Sequence, residues 1–122
     1  MAGAWTAHHL DVSDVRSWTR VSVDLPPGGI VLSGPNGAGK TSLVEAIVLA
    51  CLGVSCRTSR DAEVVRSGAP ALHVALDLTG PSGDHHREIG YAPRQRRRLS
   101  LDGEPAASLA QWRADGSVLV FL

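Results

Sequence analysis

An α/β fold, with a mixed central sheet, one buried helix and an antiparallel meander, is what the sequence predicts on three observations. Apolar and polar residues alternate near the start of the chain and again in its second half. An unbroken apolar run, Ile30-Val31-Leu32, leads into a glycine-rich loop, and a nearly all-apolar stretch, Thr41 to Leu52, leaves it. Alternation is the period of half-buried strands, whereas a continuous run suits a strand covered on both faces.

Taken in order, His8, Leu10 and Val12 alternate with His9, Asp11 and Ser13, and Val21, Val23 and Leu25 alternate with Ser22 and Asp24, so two strands open the chain. The cluster Pro26-Pro27-Gly28-Gly29 is a turn, and Ile30 to Leu32 is the central strand. Between Thr41 and Leu52 the one charge is Glu45, which predicts a helix buried nearly all round, ended by Gly53. Ser55 to Gly68 is polar and charged. Leu72 to Leu78 alternates weakly before Gly80-Pro81-Ser82-Gly83, and His86 to Tyr91 and Arg96 to Leu101 are further strands, with Asp102-Gly103 as a two-residue hairpin turn. Pro105 to Arg113 is expected to be a short helix with proline in its first turn and Gly116 past its end. The organisation is thus 1–53, strands with loop and helix; 54–68, an arginine-rich connector; and 69–122, a meander ending in a buried strand. Val118 to Leu122 is wholly apolar, which is expected of a strand cut in mid-run, so the chain is read as the front lobe of a longer protein.

The 122 residues carry 12 Lys plus Arg against 12 Asp plus Glu, and a zero net charge excludes wholesale electrostatic attachment to nucleic acid or membrane. Any such contact must be local. No apolar run approaches the ~18 residues of a membrane span, and Met1 to His9 has no secretory pattern, so no membrane association and a cytoplasmic location are expected. Cys51 and Cys56 fit neither a disulfide framework nor a zinc motif and are expected to be packed thiols. His8-His9 and His85-His86 are adjacent pairs, which point to opposite faces of a strand and make poor joint metal ligands.

Gly34-Pro35-Asn36-Gly37-Ala38-Gly39-Lys40-Thr41 fits the phosphate-loop pattern G-x-x-x-x-G-K-[ST] and lies between predicted strand and predicted helix, the context of a P-loop NTPase. The glycines let backbone N–H groups turn inward as a nest for phosphate oxygens at a helix start. Lys40, the sole lysine, supplies a mobile charge for the β- and γ-phosphates of ATP; the Thr41 hydroxyl is the expected Mg²⁺ ligand, with Ser42 next in line. Val74-Ala75-Leu76-Asp77 imitates an apolar run ending in a magnesium-binding Asp, but Leu78 stands where an acidic partner is needed, and it is read as a meander strand. Leu32-Ser33-Gly34 imitates an ABC signature but already belongs to the phosphate loop. No catalytic residue is assigned, and no local Ser or Cys nucleophile motif is present.

GPNGAGKT followed by Ser42-Leu43-Val44-Glu45-Ala46-Ile47 resembles the SMC-like group of ABC-type ATPases. Ser55-Cys56-Arg57-Thr58-Ser59-Arg60-Asp61, with Glu63-Val64-Val65-Arg66 and Gly68, is similar to the segment after the first helix in the RecF family of DNA replication and repair proteins. Leu10 to Trp18 resembles that family's first strand and Phe-Arg turn, with Val15 where Phe is usual, and Arg96 to Pro105 its basic strand and hairpin. The resemblance implies the amino-terminal lobe of an ABC/SMC-type ATPase head. It further implies ATP sandwiched in a homodimer, slow DNA-dependent ATPase activity, and action on single-stranded, gapped and junction DNA. RecO and RecR are the implied partners, in RecA loading and the SOS response. The family's signature motif and Walker B acidic pair have no counterpart in these 122 residues, so hydrolysis by them alone is not expected. Another SMC-like or transporter-type ATPase subunit, or a stand-alone nucleotide-binding module, are the alternatives.

Arginines gather in two stretches, Arg57, Arg60 and Arg66, then Arg87, Arg94, Arg96, Arg97 and Arg98. Their planar forks suit phosphate, so Arg94, Arg96, Arg97 and Arg98 are DNA-contact candidates, against the alternative of a solvated edge. Arg57 and Arg60 either contact DNA, pair with Asp61 or Glu63, or brace the nucleotide lobe. Arg16 either approaches nucleotide, as the corresponding family turn does, or pairs with Asp14.

Overall fold

The computed structural model describes residues 6–25, 45–50, 60–80 and 83–106. Within them β1 (Thr6–Val15), β2 (Trp18–Asp24), β3 (Leu72–Gly80), β4 (Gly83–Tyr91), β5 (Arg98–Leu101) and β6 (Glu104–Pro105) form one sheet in the order β2-β1-β3-β4-β5-β6. Every pairing in it is antiparallel. A helix, α1, runs through residues 45–50, and a single 3-10 turn covers Asp61–Glu63. The expected central strand Ile30-Val31-Leu32, which would make the sheet mixed, lies outside the described residues.

Register explains the core. Val21 and Val23 of β2 stand opposite Val12 and Leu10 of β1, which stand opposite Val74 and Leu76 of β3, and Val74 faces Ile89 of β4. Because side chains alternate, these residues fall on one face. Against that face pack Ala46, Leu49 and Ala50 of α1, together with Val64 and Val65. The described part of α1 is buried except for a half-buried Ile47, as an almost uncharged stretch requires. Removing this apolar surface from water stabilises the lobe by about 25 cal/mol per Å².

Three details differ from the sequence expectations. Pro105 does not start a helix: Asp102 and Gly103, at φ 53° and 85°, reverse the chain tightly, and Glu104 and Pro105 return against Leu101 and Ser100. A proline is tolerated there because it sits on an edge strand. The remainder of the expected helix lies outside the described residues. The basic strand begins at Arg98 because Ala92 to Gln95 form a turn, with Pro93 at its second position and Arg94 at φ 68°, closed by the Gln95 N–H donating to the Ala92 carbonyl at 3.0 Å. Arg96 and Arg97 therefore sit in the loop before β5. The polar connector also contributes to the core, since Val64 is fully buried and Val65 bridges to Val15.

Candidate functional site at the β1–β2 turn and the arginine rim

The phosphate loop, Gly34 to Thr41 with Ser42, lies outside the described residues, as does Arg57. What is described begins one turn downstream, at Glu45, four residues after Thr41. This carboxylate is completely buried. Arg16, in the tight turn joining β1 to β2, reaches it through two parallel hydrogen bonds: Nε donates to Oε1 at 2.8 Å and Nη2 to Oε2 at 3.0 Å. Nη1 donates to the Glu63 carbonyl at 3.1 Å, and the Arg16 backbone N–H donates to the Val64 carbonyl at 2.8 Å. The Glu45 hydrogen bonds raise the pKa of the guanidinium, with burial opposing. A fork-on-carboxylate pair with so little solvent is the strong form of an ion pair.

The turn is conformationally unusual. Asp14 and Arg16 hold φ of 55° and 53°, a left-handed backbone that costs a non-glycine residue free energy unless its surroundings impose it. For Arg16 the four contacts above impose it. For Asp14 the partner is Arg66, whose Nε donates to the carboxylate at 2.8 Å and whose backbone N–H donates to the Asp14 carbonyl at 2.7 Å. The sequence alternative that paired Arg16 with Asp14 is thereby replaced: Asp14 belongs to Arg66, and Arg16 to Glu45. The 60–66 segment, the β1–β2 turn and the described part of α1 are thus tied into one unit.

Arg60 is exposed and lies 3.8 Å from Glu63, so of the expected alternatives its pairing with Glu63 is formed. At the other edge, Arg94, Arg96 and Arg98 are exposed and Arg97 is half-buried. Arg96, Arg97 and Arg98 line an open groove of about 810 Å³ together with Tyr91, His73 and Glu88. Arg87, counted with this stretch in the sequence, does not belong to it. It is 1% exposed and its Nε donates to the Ala50 carbonyl at 3.1 Å, joining β4 to α1. A signal for this was present: Arg87 is in phase with Ile89 and Tyr91, and strand alternation places all three on the inner face. No such signal marks the Arg16–Glu45 pair, whose members are 29 residues apart.

Asp77, the look-alike magnesium residue, is a β3 residue hydrogen-bonded to His86. The adjacent histidines separate as expected, His85 to Asp102 and His86 to Asp77. Among the described residues no group of three or more His, Cys, Asp or Glu is placed to hold a metal ion, and no helix is long and apolar enough to cross a membrane.

A family model for the AAA domain matches residues 9–96. The chain is 56% identical over 95 residues to the DNA replication and repair protein RecF of Streptomyces avermitilis, covering 77% of this chain and 25% of that protein. It is 38% identical over 105 residues to RecF of Mesorhizobium japonicum, covering 81% and 27%. The chain spans about a quarter of the length of these curated relatives. Among solved structures, the recombination mediator RecF bound to ATP superposes with a TM-score of 0.79 at 19% identity, over 94% of this chain and 32% of that one. The Smc head domain of Pyrococcus yayanosii gives 0.81 at 19% identity, over 91% and 25%. These two likenesses show the fold, that of an SMC/RecF-type ATPase head. With the AAA-domain match across residues 9–96, the chain belongs to the AAA domain family, and along about four-fifths of its length its sequence is similar to that of RecF proteins.

Proposed function

We propose that this chain is the ATP-binding lobe of a RecF-type DNA replication and repair protein. The observation that carries the reading is the passage of the phosphate-loop sequence directly into a helix whose described turn is buried and pinned, through Glu45, to the β1–β2 turn. A loop that binds polyphosphate through backbone N–H groups needs its helix fixed, since electrostatic binding is effective when the dipoles are preorganised. The donor set in the sequence suits MgATP. Gly34, Pro35, Asn36, Gly37, Ala38 and Gly39 form the nest, Lys40 meets the outer phosphates, Thr41 takes Mg²⁺, and Ser42 extends the site. Arg16 stands at the neighbouring turn and borders the nucleotide. When bound, MgATP supplies the charge that draws these groups together; the chain orients it.

The solved relatives support dimerisation, one being described as RecF bound to ATP in the RecFOR pathway and another by ATP-driven dimerisation and DNA-stimulated activation of SMC ATPases. In this reading the complete protein pairs with a second copy on ATP, works in the cytoplasm with RecO and RecR on single-stranded, gapped and junction DNA, and supports RecA loading and the SOS response. Arg94, Arg96, Arg97 and Arg98 meet DNA phosphate, with Arg57 and Arg60 as a second group. SMC heads superpose equally well, which keeps an SMC-like ATPase as the second reading.

The test is thermal unfolding of the protein with and without MgATP. Ligand at ~100 times its dissociation constant stabilises by about 2.7 kcal/mol, so the melting temperature rises, and Lys40→Ala abolishes the rise. An equal rise in Lys40→Ala overturns the assignment of the phosphate loop.

A further inference from the structure

The face of the sheet turned away from α1 carries an ordered set of ionisable side chains. Register places Asp24 of β2 opposite His9 of β1, His9 opposite Asp77 of β3, and Asp77 opposite His86 of β4, so acids and imidazoles alternate across four strands. Each step but the central one is a contact. The His9 Nδ1 lies 2.7 Å from Asp24 Oδ1, and the His86 Nδ1 lies 2.5 Å from Asp77 Oδ1. Glu88 then links two histidines, with Oε1 3.1 Å from His73 Nε2 and Oε2 3.7 Å from His86 Nε2. The other side chains facing these groups are Asp11 and Ser22 beside His9, Asp84 and His8 beside Asp77 and His86, joined to each other through Thr79, the Asp102 carboxylate that accepts the His86 backbone N–H, and the cations Arg20 and Arg98 one row along.

Three features make this set responsive to protons. In the neutral His9 ring with hydrogen on Nδ1, Nε2 accepts from the Ser22 hydroxyl at 2.8 Å; in the imidazolium both nitrogens donate, and Nε2 turns to Asp11 at 3.3 Å. The Ser22 hydroxyl is also a hydrogen-bond partner of Asp11. Second, the contacts span strands, so protonation strengthens links between β2 and β1 and between β3 and β4. Third, the carboxylates on this surface, Asp11, Asp24, Asp77, Asp84 and Glu88, outnumber its guanidiniums, Arg20 and Arg98, so charging His9 and His86 offsets part of the excess negative charge of the face.

We infer that the outer sheet face is a proton-operated clasp, in which mildly acidic medium ties β1 to β2 through His9 and β4 to β3 through His86 and offsets part of the negative charge of the face. The electrostatics agree in direction. Hydrogen bonding to Asp24, then to Asp11, raises the His9 pKa above its ordinary 6.5, and hydrogen bonding to Asp77, with the Glu88 charge beside it, raises that of His86. A raised histidine contributes stability that is full below its unfolded value of about 6.5 and lost as pH climbs through the folded one. Asp11 and Asp102 are lowered, the first chiefly by Ser22 and the second chiefly by His85, and their contribution is lost only as pH falls through their folded values. The clasp is therefore tightest between about pH 4 and 6.5.

Two measurements on the full chain test it. An NMR titration of the histidine ring protons between about pH 4.5 and 8.5 should give His9 and His86 midpoints above 6.5, and Asp77→Asn should lower the His86 midpoint while leaving that of His9 in place. In thermal unfolding the melting temperature should rise by ~4 °C on going from about pH 8 to about pH 5.5, and His9→Gln with His86→Gln should remove most of that rise. Adding ~1 M salt should shrink it as well, because these pairs are exposed to solvent. Midpoints at or below 6.5, or an acid-side rise undiminished in the double variant, overturn the clasp. Should the double variant not fold, the titration of the unaltered chain decides alone.

Discussion

The β1–β2 turn and the β4–β5 edge both present arginines, and they use them in opposite ways. At the turn, half-buried Arg16 forks onto a carboxylate with no exposed surface, and buried Arg87 on the inner face of β4 donates to a helix carbonyl. At the edge, Arg94, Arg96 and Arg98 face water, the last two along an open groove. A guanidinium held by fixed partners has exchanged part of its hydration for them, whereas an exposed one has made no such exchange. A run of arginines in a sequence is therefore not one feature. Substitutions should separate the two regions: the turn and inner face should respond in stability, and the edge in ligand affinity.

The largest effect is expected at Arg16. Arg16→Ala leaves the Glu45 carboxylate buried without its fork and should cost about 3–5 kcal/mol, read as a lowered urea midpoint. Replacing both partners together, Arg16→Met with Glu45→Leu, should cost much less than the single change, because the buried carboxylate is removed along with its fork. A loss below ~1 kcal/mol for Arg16→Ala would remove the pair from the framework of the lobe. The next effect belongs to Arg87→Met, which keeps the aliphatic stem and deletes the donor to the Ala50 carbonyl. Leaving a buried acceptor unpaired costs about 1–3 kcal/mol, whereas the same change at exposed Arg98 should fall within ~0.5 kcal/mol. Equal losses at the two positions would erase the distinction between inner and outer arginines on neighbouring strands.

What could be read in the sequence follows the range over which each interaction acts. The strand pair β1–β2 was visible in Val21 and Val23, the burial of α1 in a stretch whose single charge is Glu45, and the β5–β6 turn in Asp102-Gly103, because alternation and turn chemistry are properties of a few consecutive residues. The phosphate-loop pattern is equally local, eight consecutive residues, and lies outside the described residues. Partnerships were not legible. Arg66 and Asp14 lie 52 residues apart, and nothing near either names the other. Pro105 was misplaced because proline opens helices and ends edge strands equally well, and the hairpin before it decided between them. Val64 and Val65 sit in polar sequence, and their burial follows from the bridge to Val15, a tertiary contact.

The smallest effect on stability, and the sharpest on function, is expected at the edge. Arg97 is left unchanged, since it is half-buried and borders a small cavity with Leu49, Leu72 and Ile89, so its stem contributes to packing. Changing Arg94, Arg96 and Arg98 to Ala should leave the melting temperature nearly as it was. If the proposed DNA contacts form, each lost phosphate contact removes ~0.9 from the slope of log K against log salt, so binding to duplex-containing DNA should weaken and its slope should flatten by ~2.7. Affinity that falls without a change of slope would mean that the three residues position something other than phosphate. An unchanged affinity and slope would leave the rim as a charged edge that discourages strand-to-strand association, for which three exposed cations beside the short β6 are sufficient.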